Sequence, residues 1–337
     1  MGHYGTKFDA SEAIAGGPSA TRSFELFVTS GFCDFELSSV TRTLTLANEL
    51  CGSKRFTWRI VSDTPGLTKS RSDMIVRSEL AVPDHLLSDV MIVVGGTEIA
   101  CSAAWLKRAR AMQRQARLVA LLSDAATAYI KATHAPAGKV TTHWRDVEML
   151  SEEGYHPNLT HCFSENSDGI VTAAGAGATA ELILGLIAPI LDGPQVAELG
   201  NRLLIHTIRK SDAEQPKNLA DNSALFDGQV TKAIRIMEST LADPIPIAEL
   251  VCDLRLSTRQ LERSFRKVFN DTPAKFYKRL RTRRAKDLLE ETLMPLTEIS
   301  VATGFGSLTT MANAVKQEFG QTPSKLRTRR RVEILKH

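Results

Sequence analysis

Residues 118–130 read LVALLSDAATAYI, and the break inside this stretch indicates how the first half of the chain folds. Five apolar residues end at Ser123 and Asp124, where an alanine-rich helical stretch begins. A continuous apolar run followed by a helix is typical of a strand in a parallel sheet covered on both faces. Hydrolases often place a nucleophile at such a turn, so Ser123 raises the question of whether the chain is an enzyme.

The same alternation continues on both sides of this stretch. Strand-like runs are separated by segments with helical periodicity. Strands are predicted at 24–30, 56–62 and 90–96, helices around 37–50 and 104–115, and a strand leading into a helix at 169–191. These elements predict an α/β domain over residues 23–205, with a parallel sheet covered by helices on both faces.

Changes in composition mark the ends of this domain. Residues 1–22 have no apolar signal core and are predicted to form a flexible leader. Residues 206–227 are polar, lack a sustained period and contain Pro216, so a linker is predicted there. Every periodic segment in residues 228–337 is helical, which predicts a second, all-α domain.

The composition argues against several classes of protein. No apolar run approaches the roughly 20 residues of a membrane-spanning helix, so no membrane partner is expected. The five cysteines are scattered and form no C-x-x-C pair. This usage predicts reduced thiols in a cytoplasm and no metal site, and we expect no cofactor.

Basic residues are concentrated at the C-terminal end. From residue 241 onward there are 19 Lys and Arg against 11 Asp and Glu, a net charge of +8, although the whole chain carries only +4. A basic piece behind a neutral-to-acidic body indicates contact with a polyanion, and a solvated basic surface is the alternative.

A repeat lies within this basic region. Residues 247–275 align with residues 296–325 when one residue is inserted at the turn, and the Thr-Pro pair of the first copy returns fifty residues later. Each copy contains a short helix, a tight turn and a longer helix that begins at a hydroxyl suited to capping. Two helix-turn-helix units are therefore predicted, at 247–269 and 296–319.

The longer helix of each unit is of the kind that enters a major groove and reads base edges with its first residues. Arg and Gln pair bidentately with guanine and adenine, which favours this interpretation over a merely solvated helix. In the first unit the predicted DNA contacts are Ser257, Thr258, Arg259, Gln260, Arg263, Arg266 and Lys267. In the second unit they are Ser307, Thr309, Thr310, Asn313 and Lys316.

A linker helix is predicted between the units, at residues 273–292. At 1.5 Å per residue it would be about 28 Å long. That length could hold two reading helices close to one turn of DNA apart, about 34 Å. Its basic cluster is predicted to face phosphates or solvent and comprises Lys278, Arg279, Arg281, Arg283, Arg284 and Lys286.

Three C-terminal stretches resemble the AraC/XylS family of bacterial transcription regulators. They are residues 247–269, AKDLLEETLMP (285–295), and TEISVATGFGS with EFGQTPSK (297–307 and 318–325). The resemblance implies double-stranded promoter or operator DNA as a partner, a homodimer, and RNA polymerase as a partner if the protein is an activator. Met311 and Val315 stand where the family usually has phenylalanines, so weaker base reading is expected from the second unit.

The front half resembles the PfpI-like, class I glutamine-amidotransferase-like sensor domain that precedes AraC-type heads in the GlxA subfamily. The matching pieces are VMIVVGG (90–96), the strand ending at Ser123, TTHW (141–144) and TAAGAGATAELILGLI (172–187). The resemblance implies a cytoplasmic, nucleoid-associated regulator that responds to a small nitrogenous metabolite. Arg42 falls where relatives often have a carboxylate, which puts the relatives' type of ligand in doubt for this chain.

Ser123 occupies the position at which enzyme relatives carry a cysteine nucleophile. A serine would need a base, for which His143 is the candidate, with Asp124 or Glu181 to orient it. Leu121 stands where such a turn demands a small residue, and no G-x-S-x-G pattern is present. Ser123 also lies where a helix needs its N-cap, and capping is the favoured interpretation. No catalytic residue is therefore predicted.

A ligand pocket is predicted nevertheless. Ligands of parallel sheets collect at the carboxyl ends of the strands, where helix N-termini favour anions and aromatic rings favour cations. The candidate ligand contacts are Gly95, Gly96, Ser123, Asp124, His143, Trp144 and Glu181. A zwitterionic amine or amino-acid derivative would suit this mixture, although His143 and Trp144 are equally explained as a packed core pair.

The sequence therefore predicts a ligand-responsive DNA-binding regulator. Two alternatives stay open: a DNA-binding regulator whose front domain only dimerises, and a hydrolase or amidase that uses Ser123.

Overall fold

The computed structural model describes residues 21–81, 86–133, 138–154, 158–205, 209–221 and 226–327. The chain divides into two compact units, Met1–Gln215 and Pro216–His337. Of the predicted leader, residues 1–20 lie outside the described residues, and Arg22 already belongs to the first strand.

The described residues of the first unit form a sheet of eight strands in the order β3-β4-β2-β1-β5-β6-β8-β7. Neighbouring strands from β4 to β8 are parallel, and β3 and β7 add an antiparallel pair at each edge. The strands are β1 (Arg22–Phe27), β2 (Phe56–Ser62), β3 (Gly66–Lys69), β4 (Ile75–Leu80), β5 (Val90–Val93), β6 (Leu118–Leu122), β7 (Ser164–Ser167) and β8 (Ile170–Ala173).

Two layers of helices cover this sheet. Alternate strand residues face opposite layers, so Phe24 and Leu26 pack with α1 and α5, whereas Phe27 packs with α2 and α3. The helices are α1 (Asp34–Cys51), α2 (Ala104–Arg114), α3 (Asp124–Ala132), α4 (Trp144–Glu152), α5 (Thr179–Ile187) and α6 (Gly193–Arg202). The predicted parallel sheet covered on both faces is confirmed, and its antiparallel edges are an addition to the prediction.

The winding of the sheet reverses at β1, which pairs with β2 on one side and with β5 on the other. The chain that follows β1 meets the chain that follows β5: Cys33 N donates to Gly95 O over 2.8 Å and Thr97 N donates to Gly31 O over 3.2 Å. Such a switch point at the carboxyl ends of parallel strands is the usual place for a ligand.

Part of the predicted linker, 206–227, packs onto the first unit. Two backbone hydrogen bonds attach residues 211–213 next to β7: Phe163 N donates to Ala213 O over 2.7 Å, and Ser164 N donates to Ser211 O over 3.1 Å. Satisfying these backbone groups fixes the segment, so residues 209–215 are an ordered strap rather than a free connector. Residues 206–208 and 222–225 lie outside the described residues.

The second unit is helical, as predicted. One helix, α10, is shared by two cores: Phe276 packs with Leu261 and Phe265 of α9, whereas Leu288 packs with Met311 of α12. The helices are α7 (Gly228–Ser239), α8 (Ile247–Asp253), α9 (Thr258–Phe269), α10 (Pro273–Glu291), α11 (Leu296–Ala302) and α12 (Leu308–Phe319). A single helix thus joins the two helix-turn-helix units.

The two copies of the repeat share their backbone conformation. In each turn one residue adopts a left-handed conformation, Arg255 at φ 53° and Gly304 at φ 66°. Each longer helix ends at another left-handed residue, Asn270 at φ 52° and Gly320 at φ 70°. Left-handed residues at these ends satisfy the last helical carbonyls and stop the helix.

The described helices include none that is long and apolar enough to cross a membrane. The same residues contain no group of three or more His, Cys, Asp or Glu side chains that could hold a metal ion, and all five cysteines are free thiols.

Gly304 brings the second helix-turn-helix turn against the segment that precedes the first. A Cβ at this glycine would lie 2.6 Å from Leu241 O and 2.6 Å from Pro244 Cδ, in a conformation with φ 66°. The turn of the second helix-turn-helix therefore packs closely against residues 241–244, at a point where no side chain fits.

We predict that Gly304→Ala destabilises the second unit by about 1–3 kcal/mol, because an L-residue is strained at this φ and its Cβ meets backbone atoms. Gly228→Ala is the matched control, since nothing lies within 4 Å of its Cβ position. Urea unfolding of both variants checks this prediction. Equal stabilities would contradict a close contact between the Gly304 turn and residues 241–244.

Candidate nucleic-acid interface and elbow site

Helix α9 presents a polar face and buries an apolar one. Ser257 caps its first turn by accepting from Gln260 N, and Leu261 and Phe265 are buried in the core of the unit. Phe269 continues this apolar stripe, and the polar positions lie on the other side of the helix because of its period. The exposed side chains include every contact predicted on this helix: Ser257, Thr258, Arg259, Gln260, Arg263, Arg266 and Lys267.

The four basic side chains of this helix form no ion pair within the described residues. Gln260 differs from them. Its Oε1 accepts from the Ser257 backbone N over 2.8 Å and from the Ser257 hydroxyl, which completes a capping box. Gln260 therefore has a structural task, and reading an adenine would require it to leave the cap.

Helix α12 offers a weaker surface for DNA. Ser307 caps it by accepting from Thr310 N over 3.2 Å, and Met311 and Val315 fill the core where the first unit has Leu261 and Phe265. The exposed side chains include all five predicted contacts, Ser307, Thr309, Thr310, Asn313 and Lys316. Lys316 is the sole basic residue of this helix, so its electrostatic attraction for phosphates is smaller.

Several basic residues of α10 do not face phosphates freely. Arg281 donates to Thr303 O over 2.9 Å and to Gly304 O over 2.6 Å, which fixes the turn of the second unit, and burial lowers the pKa of its guanidinium. Arg279 pairs with Asp271 over 3.1 Å. Lys286 pairs with Glu290 over 3.1 Å. Of the predicted cluster, Lys278 and Arg283 are exposed without an ion pair among the described residues.

In the first unit, the turn after β6 has the strained geometry of a nucleophile elbow. Ser123 adopts φ 39° and ψ −111°, and its backbone N donates to Ala173 O over 3.0 Å. A conformation of this kind costs about 1–3 kcal/mol in a non-glycine residue. The predicted capping role of Ser123 is wrong: it precedes α3, but its side chain makes no capping hydrogen bond.

Glu36 of α1 binds this turn to two neighbouring loops. Its Oε2 accepts from Gly95 N over 2.9 Å, and its Oε1 accepts from Ala176 N over 2.8 Å. The Ser123 hydroxyl lies beside the same carboxylate and acts to lower its pKa. The side chain is buried, and burial raises the pKa of the Glu36 carboxyl despite these hydrogen bonds. We call this cluster of Glu36, Gly95, Ser123 and Ala176 the elbow site.

Two glycines make the elbow site possible. A Cβ at Gly95 would lie 2.1 Å from Ser123 Oγ, and a Cβ at Gly175 would lie 2.2 Å from Glu36 Oε1. Gly95 was predicted to offer its N–H to a ligand, but Glu36 already occupies that donor. Gly96 forms a bridge to Phe32. The elbow site is thus filled by the chain's own carboxylate.

Asp124 and His143, two of the predicted partners of Ser123, lie beside the elbow site, but they are not arranged as a catalytic triad. Asp124 pairs with Arg71 over 2.8 Å; burial raises the pKa of its carboxyl and Arg71 opposes this. His143 Nδ1 accepts from Arg145 N, and burial lowers the pKa of its imidazole. Among the described residues, no hydrogen bond joins His143 to Ser123.

His143 and Trp144 are half-buried, with ring centroids 5.5 Å apart. The Arg145 guanidinium stands 5.5 Å from the centroid of the Trp144 ring. Arginine side chains thus cover both Asp124 and Trp144, the two groups suited to a cationic ligand.

Glu181 lies away from the elbow site, beside β7. Burial would raise the pKa of its carboxyl, but hydrogen bonds from Arg209 at 2.6 and 2.9 Å outweigh it and hold the pKa below its ordinary value. Glu181 lines a groove of about 810 Å³ beside β7, and none of Gly95, Ser123, Asp124 or His143 lines that groove. The structure therefore separates Glu181 from the other predicted ligand contacts.

The position predicted for a relative's carboxylate, Arg42, is exposed and lies 3.9 Å from Glu49. The carboxylate of α1 that reaches the carboxyl ends of the strands is Glu36, which was not among the predicted site residues. A buried Glu on an otherwise apolar helix face, next to Leu37 and Val40, was the signal that could have found it.

Known proteins resemble both halves. Residues 250–329 match the family described as a helix-turn-helix domain. The HTH-type transcriptional regulator CdhR of Pseudomonas aeruginosa is 26% identical over 308 residues, which cover 90% of this chain and 91% of that protein. The HTH-type transcriptional regulator GlxA of Rhizobium meliloti is 26% identical over 303 residues, covering 88% and 93%. Among solved structures, an AraC family transcriptional regulator from Pseudomonas putida is 16% identical with a TM-score of 0.47, covering 54% and 99%.

The buried Glu36 carboxyl predicts a measurable pH dependence. Because its pKa in the folded chain lies above the ordinary 4.5, its contribution to stability is fully present below that pH and is lost as the pH rises through the folded value. Glu36→Gln stays neutral, so the variant's stability relative to the parent chain should improve with rising pH, by about 1.4 kcal/mol per unit of pKa shift.

Urea unfolding of the parent chain and of Glu36→Gln from about pH 5 to about pH 8 gives this difference directly. A difference that does not change over that range would show that Glu36 titrates as an ordinary exposed carboxyl does.

Proposed function

We propose that the chain is an AraC-type helix-turn-helix transcriptional regulator of the GlxA group, and that its front unit senses a small nitrogenous metabolite. DNA is the partner of the second unit. The observation that carries the DNA-binding half is the exposed face of α9, where four basic side chains stand without ion pairs among the described residues.

Base reading is assigned to the start of α9, through Arg259 and Arg263. Arg side chains with no acidic partner can place their paired donors on guanine O6 and N7. Arg266 and Lys267, near the end of the helix, are assigned to phosphates. Because α12 carries a single basic residue, most of the affinity comes from the first unit and should fall steeply with salt.

The two units read DNA together because they are held at a fixed spacing. Helix α10 has 19 residues, which corresponds to roughly 28 Å. Arg281 and the backbone contact at Gly304 prevent α11 and α12 from swinging about its end. Such a rigid pair suits two recognition helices that enter successive major grooves on one face of DNA.

The effector is proposed to bind beside the elbow site, against Asp124, His143 and Trp144. A carboxylate and an indole attract a cationic nitrogen, and exposed Arg71 and Arg145 now stand in those places as replaceable cations. Glu36 occupies the backbone donor at Gly95, so an anionic group of the effector would have to bind elsewhere. An amine or amino-acid derivative fits this chemistry.

A degenerate rather than active amidotransferase-like site is the better interpretation of Ser123. Its hydroxyl lies beside Glu36, and His143 is committed to the first turn of α4. The Glu36 carboxylate is held by Gly95 N and Ala176 N, so we assign it to fixing the turn rather than to activating the serine. We therefore propose that the strained turn has been kept for its shape, and that the protein is not a hydrolase.

We also propose where the protein acts and how it assembles. A protein that binds promoter DNA in a bacterium would act in the cytoplasm, at the nucleoid. Dimerisation through the front unit would let two pairs of heads read a repeated site, and action as an activator would require contact with RNA polymerase. The effector would shift the equilibrium between states that differ in affinity for that site.

The repeat provides an internal comparison for DNA reading. Arg263→Ala should weaken binding to a duplex selected by the full-length chain by about 1–3 kcal/mol, because it removes a bidentate base contact. Asn313→Ala, at the equivalent position of the second unit, should cost less. Fluorescence anisotropy titrations measure both.

Arg235→Ala is the matched control, since it removes the same charge from exposed α7, outside both helix-turn-helix units. Equal losses of DNA affinity for Arg235→Ala and Arg263→Ala would show that Arg263 contributes only non-specific positive charge.

The effector site can be located by thermal shift of the full-length chain with α-amino acids, their N-methylated derivatives and primary amines. We expect a compound of this panel to raise the melting temperature, Trp144→Ala to abolish the shift and Glu181→Gln to retain it. The reverse pattern would move the site to the groove beside β7. No shift with any compound would favour a front unit that only dimerises.

A further inference from the structure

Gln215 is buried at the end of the strap, and its side chain uses all of its polar atoms. Its Nε2 donates to Thr142 O over 2.7 Å and to Cys162 O over 3.0 Å, and its Oε1 accepts from Trp144 N over 2.9 Å. A fully satisfied buried amide tolerates little displacement, because each broken bond leaves a buried group unpaired. The position of the Gln215 side chain is therefore tied to that of residues 141–144.

Residues 141–144 also contact the elbow. Thr142 Oγ1 donates to Ser123 O over 3.1 Å and lies 2.6 Å from Thr127 Oγ1, in the first turns of α3. One residue, Thr142, therefore touches the strained turn through its hydroxyl and Gln215 through its carbonyl. His143 and Trp144, the proposed effector contacts, follow directly in the chain. An effector that moves their backbone must change the hydrogen bonds of Gln215.

Gln215 is also the last residue of the first compact unit, and Pro216 begins the second. Only three residues separate Gln215 from Leu219, whose backbone N donates to Glu238 Oε1 of α7 over 2.6 Å. Ala220 N donates to the same carboxylate over 3.3 Å, and Ala220 is buried in the core that holds α8 and α9. Pro216 also restricts the backbone of Gln215 to extended conformations.

We propose that Gln215 is the positioning residue that couples the elbow segment to the DNA-binding unit. The Glu181–Arg209 pair holds the other end of the strap. Among the described residues, the hydrogen bonds that join the strap to residues 141–144 are those of Gln215. This inference rests on the proposed function, since it assigns the route by which an effector beside the elbow would alter DNA binding. We expect this coupling in the absence of effector too, because the hydrogen bonds of Thr142, Gln215 and Leu219 that carry it form without a ligand.

The test uses Gln215→Met in the full-length chain. Methionine keeps the length of the side chain and removes its hydrogen bonds with residues 141–144 and 162. The matched control is Gln229→Met, the same change at an exposed position of α7. Amide hydrogen exchange is read at residues 219–221 and in α7, and affinity is measured for a duplex that the parent chain selects from a random pool.

We expect Gln215→Met to accelerate exchange at residues 219–221 and to change DNA affinity by about fivefold or more, whereas the control changes neither. A residue that merely stabilised the first unit would alter exchange in that unit alone. Thr142→Val provides a second variant, since it removes the hydroxyl that contacts Ser123 O. Its effect on DNA affinity should not add to that of Gln215→Met, because both act on one connection.

The two proposals fail in different ways. If the parent chain selects no duplex, the proposed function is wrong. If it selects one, and both Gln215→Met and Thr142→Val bind it as the parent does with unchanged exchange at residues 219–221, the coupling role of Gln215 is wrong and the proposed function stands. Should Gln215→Met fail to fold, the same comparison is made with Thr142→Val alone.

Discussion

The Glu36 carboxylate is the interaction on which the front unit is organised. It joins the loops after β5, β6 and β8 at the carboxyl end of the sheet, through Gly95, Ser123 and Ala176. A buried carboxyl held by backbone donors fixes the strained turn at Ser123, whose conformation would otherwise relax. The turn that a catalytic nucleophile would need is therefore preformed, while the imidazole of His143 is directed to the first turn of α4.

The proposed coupling runs from this turn along the chain to the second unit. Thr142 contacts Ser123, Gln215 contacts Thr142, and four residues after Gln215 the backbone N of Leu219 donates to Glu238 of α7. The second unit has its own internal constraint, because Arg281 and Gly304 fix one helix-turn-helix against the other. Both units thus contain short, geometrically demanding contacts, and the basic face of α9 is exposed.

Local patterns predicted most of the architecture, because local interactions cause it. Capping at Ser257 and Ser307, left-handed helix ends and apolar periodicity all act within a few residues, so the repeat was visible in the sequence. The roles of Glu36, Gln215 and Arg281 were not, since their partners lie 22 to 140 residues away. Distance in sequence also explains Glu181, which Arg209 binds from 28 residues away. Gln260 is different, because its partner Ser257 lies only three residues before it and the two residues form a capping box.

The central claim is that this chain is a DNA-binding regulator that reads sequence through the start of α9. The most direct test is genome-wide DNA occupancy of the full-length protein in its own host, compared with the Arg259→Ala/Arg263→Ala double variant. The account predicts discrete peaks that vanish in the double variant, and the genes beside them would nominate the effector. Peaks that persist in the double variant, or no peaks under any growth condition, would contradict it.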